Sequence, residues 1–160
     1  MASDIFLKVD GIKGDSTDAY HQVEIELIGW SWGASEVFIV SGGGGPVGGK
    51  PKFANLVVTK HVDRASPKLL KACLKVTHIK DVVLTQRRAG AGKLNFLVIT
   101  LKDALVTSLN DVESDAAPRP METVQFNFAK VIYEVIPQKP NGQPDTPVIL
   151  RWDVKTNKEF

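Results

Sequence analysis

The fold of this chain is decided by one stretch, Val124-Gln125-Phe126-Asn127-Phe128-Ala129-Lys130-Val131-Ile132-Tyr133-Glu134-Val135. Large apolar side chains occupy even positions as far as Phe128 and odd positions from Val131 onward. Alternation with a period of two is typical of a half-buried β-strand. A change of phase requires a bulge or a bend, and bent strands that pass between two sheets are how small barrels turn corners. The stretch therefore predicts a barrel-like β fold.

The same alternation recurs along most of the chain. Further strands are predicted at residues 5–9, 23–32, 52–62, 79–87, 94–101 and 148–154. The strand at 23–32 also changes phase, because its large side chains move from Leu27 to Ile28. We therefore expect a mainly β fold, a small closed or partly open β-barrel of two packed sheets with one flanking α-helix, forming a single domain over residues 1–160.

Residues 66–75 depart from this alternation and have the signals of an amphipathic α-helix. Ser66 is in position to cap the N-terminus, and Pro67 occupies the first helical position, where proline is favoured. The polar face carries three lysines, Lys68, Lys71 and Lys75. The opposite face, which we expect to pack on the barrel, carries Leu70, Cys73 and Leu74.

Composition places the chain among ordinary globular proteins and excludes several classes. Of its 160 residues, 43% are hydrophobic, and 20 basic against 18 acidic residues give a formal charge of +2, too small to attract nucleic acid in general. The single cysteine, Cys73, rules out an internal disulfide. We find no signal-peptide pattern and no run near the ~20 apolar residues of a membrane span. We expect a protein made and folded in the cytoplasm, without membrane insertion; if it leaves the cell, a machine other than the general secretion route must export it.

The strand at residues 94–101 is apolar on both faces, which is unexpected for a strand in a lone two-layer barrel. Either a helix or another subunit must cover the second face. The sequence therefore indicates self-assembly. Candidates for the subunit contact lie in this strand and near the two phase changes, at Trp30, Trp32, Leu97, Val98 and Val131.

A glycine-rich loop invites comparison with phosphate-binding loops. Residues 44–50 match G-x-x-x-x-G-K, but Pro51 stands where a Ser or Thr should bind Mg²⁺. The G-x-G-x-x-G pattern at Gly43, Gly45 and Gly48 needs a helix to follow, whereas a strand pattern follows. We therefore interpret the segment as a flexible or extended hairpin loop and expect no cofactor.

No set of residues points to metal binding or nucleophilic catalysis. His21, His61 and His78 lie far apart on different predicted strands, and we interpret them as surface or edge histidines. Cys73 has no cysteine neighbour, and we interpret it as a small core residue. Ser66 matches neither G-x-S-x-G nor S-x-x-K, so its expected role is the helix cap. We expect no metal and no enzymatic activity.

Two residue pairs suggest a binding role only weakly. Arg87 and Arg88 form the one arginine pair, too small a patch to bind nucleic acid. Trp30 and Trp32 could stack on sugars, although tryptophans two residues apart on a strand more often belong to a core or a subunit contact. A monomeric carbohydrate-binding β-sandwich and a small hydrolase stay open as alternatives.

Several stretches together resemble one family, the haemolysin-coregulated protein (Hcp) family of type VI secretion. The matching stretches follow one another along nearly the whole chain: residues 4–14, 30–33, the glycine-rich loop, 65–70, 72–73, 87–90, 127–130, 133, 137–139 and 152–153. The resemblance implies a small β-barrel with one flanking helix and a hexameric ring. It also implies that rings stack into a tube inside a contractile sheath, carry a VgrG-type spike, and hold effector proteins in their lumen.

Two features depart from the family pattern. The loop at residues 111–120 is acidic and contains proline where a Gly/Ser-rich turn is expected. The chain ends at Phe160, soon after the last predicted strand, so we expect no fused toxin domain. The second feature favours a tube component and carrier over the alternative, a secreted effector.

The resemblance also suggests two functional sites. The expected ring-stacking loop is Gly42, Gly43, Gly44, Gly45, Pro46, Val47, Gly48, Gly49 and Lys50, whose glycines permit close backbone approach. The expected lumen or cargo residue is Ser31, which faces outward if the tryptophans on either side of it are buried.

Overall fold

The computed structural model describes residues 4–39, 42–45, 47–88 and 93–160. Over these residues the fold is mainly β with one α-helix, as predicted. The first strands are β1 (Ile5–Val9), β2 (Ile25–Glu26), β3 (Gly29–Ser31), β4 (Ala34–Ser35), β5 (Phe38–Ile39), β6 (Val47–Gly48), β7 (Lys52–Phe53) and β8 (Leu56–His61). After α1 (Ser66–Leu74) follow β9 (Ile79–Arg87), β10 (Asn95–Val112), β11 (Met121–Asn127), β12 (Lys130–Val135), β13 (Val148–Asp153) and β14 (Lys158–Glu159).

The 18-residue strand β10 belongs to both layers of the fold. Its first half pairs with β9 and β12, and its second half pairs with β11 from Leu105 onward. Between the halves, Asp103 has a φ of 51°, a left-handed conformation that marks the bend. One strand therefore passes from the first layer to the second.

The bend predicted from the phase change at residues 128–131 is confirmed, and it lies alongside the bend in β10. β11 pairs with the second half of β10 and β12 with its first half, so the chain changes layer between Asn127 and Lys130. The opposite side of the fold is joined in the same way, because β2 pairs with β1 in the first layer and β3 pairs with β8 in the second.

The strand predicted at residues 23–32 does not begin at Val23. Val23 has a φ of 56° and is exposed, so strand pairing starts at Ile25.

Hydrogen bonding in the main sheet runs along an open path. Within the described ranges the order is β14-β13-β12-β10-β11-β8-β3, with β9 and β1 branching from β10 and β2 following β1. The fold is thus the partly open form of the predicted barrel, not a closed one. Two short ladders, β4–β7 and β5–β6, lie outside this network.

The core lies between the inner faces of the two layers. Its fully covered side chains come from nearly every long strand and from α1: Leu7, Ile25, Leu56, Val58, Leu69, Val82, Leu84, Ile99, Leu101, Val124 and Phe126. Leu97 and Val131 belong to the same cluster. The predicted apolar faces of β1 and β11 therefore point inward as expected.

The helix buries a different face from the predicted one. Leu69 and Ala72 are buried against β10, whereas Leu70 and Leu74 are 43% and 75% exposed. Apolar residues surround more than half of this helix, so periodicity alone does not select the packed face. The helix has nine residues, and no helix in the described part of the chain is long and apolar enough to cross a membrane.

Candidate assembly surfaces

Ser66 belongs to a buried ion-pair network and is not the helix cap. Lys60 Nζ donates to Ser66 Oγ at 3.0 Å and to Glu122 Oε1 at 2.9 Å, and it lies 2.9 Å from Asp63 Oδ1. The N-cap residue is Ala65, which makes no side-chain capping bond. The expected capping role is wrong because the hydroxyl, one residue inside the helix, is turned toward the lysine.

Glu122 is the most deeply buried acid of this network. The side chains of Glu122 and Lys60 are both 0% exposed. Burial raises the pKa of Glu122, and the hydrogen bond from Lys60 lowers it again. The pair therefore joins β8, β11 and the start of α1 inside the subunit, out of reach of any ligand.

The histidines do not converge on a metal site. His21 is buried, not a surface residue: its ring stacks on Phe6 at 4.3 Å between centroids, and its Nδ1 lies 2.8 Å from Glu24 Oε2. His78 Nδ1 instead lies 2.8 Å from Asp103 Oδ1 on the exposed surface. Across the residues that the structure covers, no group of three or more His, Cys, Asp or Glu side chains could hold a metal ion.

The two adjacent arginines have different neighbours, and Arg88 lies 5.1 Å from the Phe96 ring centroid. Arg87 is 2% exposed and donates to Asp4 at 2.6 Å and to both carboxylate oxygens of Asp18, at 3.0 and 2.8 Å. Its guanidinium also lies 4.8 Å from the Phe6 ring centroid. The hydrogen bond from Arg87 lowers the pKa of Asp18 to about 2. This contact fastens the segment between β1 and β2 over the outer face of the sheet.

The two tryptophans pack toward the core. Trp30 Nε1 donates to Gln86 Oε1 at 2.9 Å. Trp32 lies 5.7 Å from Tyr133 and 6.3 Å from Phe53, measured between ring centroids. Both are partly buried against the core, so they do not present the flat exposed platform that sugar stacking needs. Ser31, between them, is exposed as expected.

The described residues of the glycine-rich segment, 34–39, 42–45 and 47–53, form two short ladders, and we call residues 34–53 the glycine arm. Its base is the β4–β7 ladder, and its outer part is the β5–β6 ladder. Gly43 has a φ of 103°, and a Cβ on Gly49 would lie 2.7 Å from the carbonyl oxygen of Val37. A strand follows the glycines, as a hairpin requires and a phosphate-binding loop does not.

The glycine arm also exposes apolar side chains. Val37 and Phe38 are 53% and 65% exposed. Among the predicted stacking residues, Pro46 lies outside the described residues. The β5–β6 ladder is not hydrogen-bonded to the main sheet, and we regard these exposed side chains as candidates for contact with another molecule.

Strand β13 is the largest exposed apolar element of the main sheet. Val148, Ile149 and Leu150 are 67%, 46% and 43% exposed. β13 pairs with β12 along its length but with β14 only at Trp152 and Asp153. Within the described residues, the edge from Val148 to Arg151 is therefore free to accept a further strand or side chains.

The prediction that β13 buries one face is wrong for its first half, because no second layer lies over it. Sequence reasoning therefore missed Val148, Ile149 and Leu150 as candidate contact residues. The sequence does contain a signal for this contact, because three consecutive apolar residues give a strand two apolar faces. The same feature at residues 94–101 indicated self-assembly.

The candidate contact residues on β10 and β12 separate into two groups. Leu97 and Val131 are 5% and 1% exposed in the single chain, so their own core covers them. Val98 points to the outer face and is half-buried. Register places Ile132 and Ile149 on the same outer face, which continues to the open edge of β13.

Comparison with known proteins gives consistent matches along the chain. A family model described as "Type VI secretion system effector, Hcp" matches residues 6–135. Protein Hcp1 of Pseudomonas aeruginosa is 38% identical over 159 residues, with 98% of each chain covered. The solved structure of Hcp1 from Salmonella typhimurium is 35% identical with a TM-score of 0.83, and all of both chains is covered. A structure described as a type six secretion system protein is 30% identical with a TM-score of 0.93, over 99% of this chain and 100% of the other.

Proposed function

Because the chain belongs to the Hcp family of the type VI secretion system, we propose that it forms hexameric rings that stack into the inner tube of that system. In this proposal the tube lies within a contractile sheath, carries a VgrG-type spike and holds effector proteins in its lumen. The protein is cytoplasmic before firing and then reaches the extracellular space or the target cell. Its role is structural, and it acts through the surface of the assembly.

The open apolar edge of β13 is the observation that carries the ring proposal. An apolar strand with a free edge is an aggregation hazard unless another chain covers it. A ring contact joins two different patches of the same chain, so one copy's β13 edge meets another surface of the next copy. A stable contact of this kind buries at least ~1,000 Å² in total.

The ring proposal is tested on the purified protein by size-exclusion chromatography with light scattering and by electron microscopy. We expect a particle of six subunits that appears as a ring with a central channel. A monomer at micromolar concentration would contradict the proposal.

We propose that the glycine arm contacts the neighbouring ring. Deleting Gly43–Gly48 is expected to leave rings intact and to abolish tube growth, because the deletion shortens the arm and spares the main sheet. Tubes are counted in electron micrographs, and ring formation is checked by size-exclusion chromatography. The matched control deletes residues 141–143 from the exposed loop before β13 and should still give tubes. Normal tubes from the arm deletion would refute this assignment.

We propose that Ser31 faces the lumen and contacts cargo. Ser31→Gln is expected to lower effector retention several-fold without breaking rings, because the Ser31 side chain is exposed. The measurement is the amount of effector that co-purifies with rings. Ser35→Gln, an exposed serine in β4, is the matched control. Unchanged effector recovery from Ser31→Gln would count against the lumen assignment.

A further inference from the structure

A charged cleft of about 540 Å³ lies at the end of the sheet where β10 bends. Its charged lining residues are His78, Lys80, Asp81, Lys102, Asp103, Lys130, Asp153 and Lys155. The four lysines outnumber the three aspartates, so the cleft is positive even with a neutral histidine. We call it the lysine cleft.

Lys80 and Lys155 are the most loosely held lysines of the cleft, whereas Lys102 donates to Asp81 Oδ1 at 3.1 Å and Lys130 Nζ lies 4.9 Å from the Phe160 ring centroid. Lys130 and Lys155 each lie 4.0 Å from an aspartate oxygen, at the limit of an ion pair, and Lys155 is 75% exposed. Lys80 is exposed and forms no ion pair with any residue of the described ranges. These ammonium groups can therefore pair with carboxylates of another molecule while losing few of their present contacts.

The opposite charge is concentrated at the β10–β11 connection. Asp111, Glu113 and Asp115 are exposed, and Arg119 is the one base among residues 111–120. Counting Asp111, which lies near the end of β10, three acids against one base give residues 111–120, which we call the acidic tip, a charge of −2. This is also the loop whose composition departs from the Gly/Ser-rich turn expected of the family.

The acidic tip cannot fold back into the lysine cleft of its own chain. The cleft includes Lys102 of β10, and the tip begins at the end of the same strand, so ten residues separate Lys102 from Val112. At ~3.3 Å per residue the separation is up to about 30 Å. β10 and β11 stay paired as far as Val112 opposite Met121, so the hairpin is held extended.

We infer that the acidic tip of one copy docks in the lysine cleft of a second copy in the next ring of the stack. The inference rests on the proposed tube. The contact joins two different patches, so it repeats from ring to ring and adds a salt-sensitive attraction to that of the glycine arm.

Charge reversal tests the contact in the full-length protein. Glu113→Lys with Asp115→Lys, and separately Lys80→Glu with Lys155→Glu, are expected to leave rings intact. Each pair should raise the protein concentration needed for tube growth at least about tenfold, because like charges would face each other. Combining all four substitutions should restore growth. Asp10→Lys with Asp145→Lys, two exposed acids outside both patches, is the matched control for net charge.

The outcomes separate this contact from the proposed function. Rings that fail to stack in each pair but stack again in the fourfold variant support the contact, as does wild-type growth that falls with added salt. Wild-type-like stacking of either reversed pair, or no recovery in the fourfold variant, overturns it while the ring proposal stands. A wild-type protein that forms no rings overturns both.

Discussion

Replacing Lys60 by methionine is expected to lower the free energy of unfolding by about 3–5 kcal/mol. Lys60 is 0% exposed and is the cation that faces Glu122 and Asp63. Its removal leaves the fully buried Glu122 without its cation, beside Asp111, whose side-chain hydrogen bond raises the pKa of Glu122. Urea unfolding followed by fluorescence measures the change, at one fixed protein concentration because assembly raises the apparent stability.

Two control variants make this prediction specific. Lys71→Met changes an exposed lysine on α1 and should alter stability by no more than about 0.5 kcal/mol. Lys60→Met combined with Glu122→Met removes both charges and should recover much of the loss, since apolar replacement of a buried pair is often neutral. A loss below about 1 kcal/mol for Lys60→Met alone would contradict the buried-pair assignment.

The destabilisation by Lys60→Met should also depend on pH. Burial already raises the pKa of Glu122, and loss of the lysine removes the hydrogen bond that lowers it. An acid whose pKa is higher in the folded state stabilises that state below its unfolded pKa and loses this contribution as the pH rises through the folded value. The deficit of the variant relative to wild type should therefore be smaller near pH 4 than at pH 7, as urea unfolding at both values would show.

Leu150→Asp is expected to convert rings into folded monomers. Leu150 is 43% exposed in the single chain, so a charge there costs the subunit little. In a ring the same charge would be buried at the contact, at a cost of at least about 2 kcal/mol in each interface. Size-exclusion chromatography with light scattering gives the mass, and circular dichroism checks the fold.

Companion variants locate the contact on the sheet. Val98→Asp, on the outer face, should likewise give folded monomers, whereas Leu97→Asp should unfold the subunit because Leu97 lies in the core. Leu74→Asp, at a 75% exposed position on α1, is the matched control and should keep rings. Intact rings from both Leu150→Asp and Val98→Asp would place the contact on another surface.

The sequence by itself predicted most of the long strands, the bend after Phe128 and the hairpin form of the arm, but not the second half of β10, residues 102–112. Alternation is a local property, so β9 was predicted with its observed bounds, Ile79–Arg87. The phase change after Phe128 marked the point where the chain changes layer, because a one-residue slip reverses every side chain. The glycines followed by a strand pattern indicated a hairpin, because this too is determined by neighbouring residues in the chain.

Only the tertiary structure decided which side chains are covered. Lys60 follows Leu56 and Val58 on the inward side of β8, and it is accommodated there because β11 and α1 bring Glu122 and Ser66 to it. Val148 and Leu150 alternate like core residues yet stay exposed, because no second layer lies over the first half of β13. Burial depends on layers contributed by distant parts of the chain or by another copy, and a local period cannot report which layer is present.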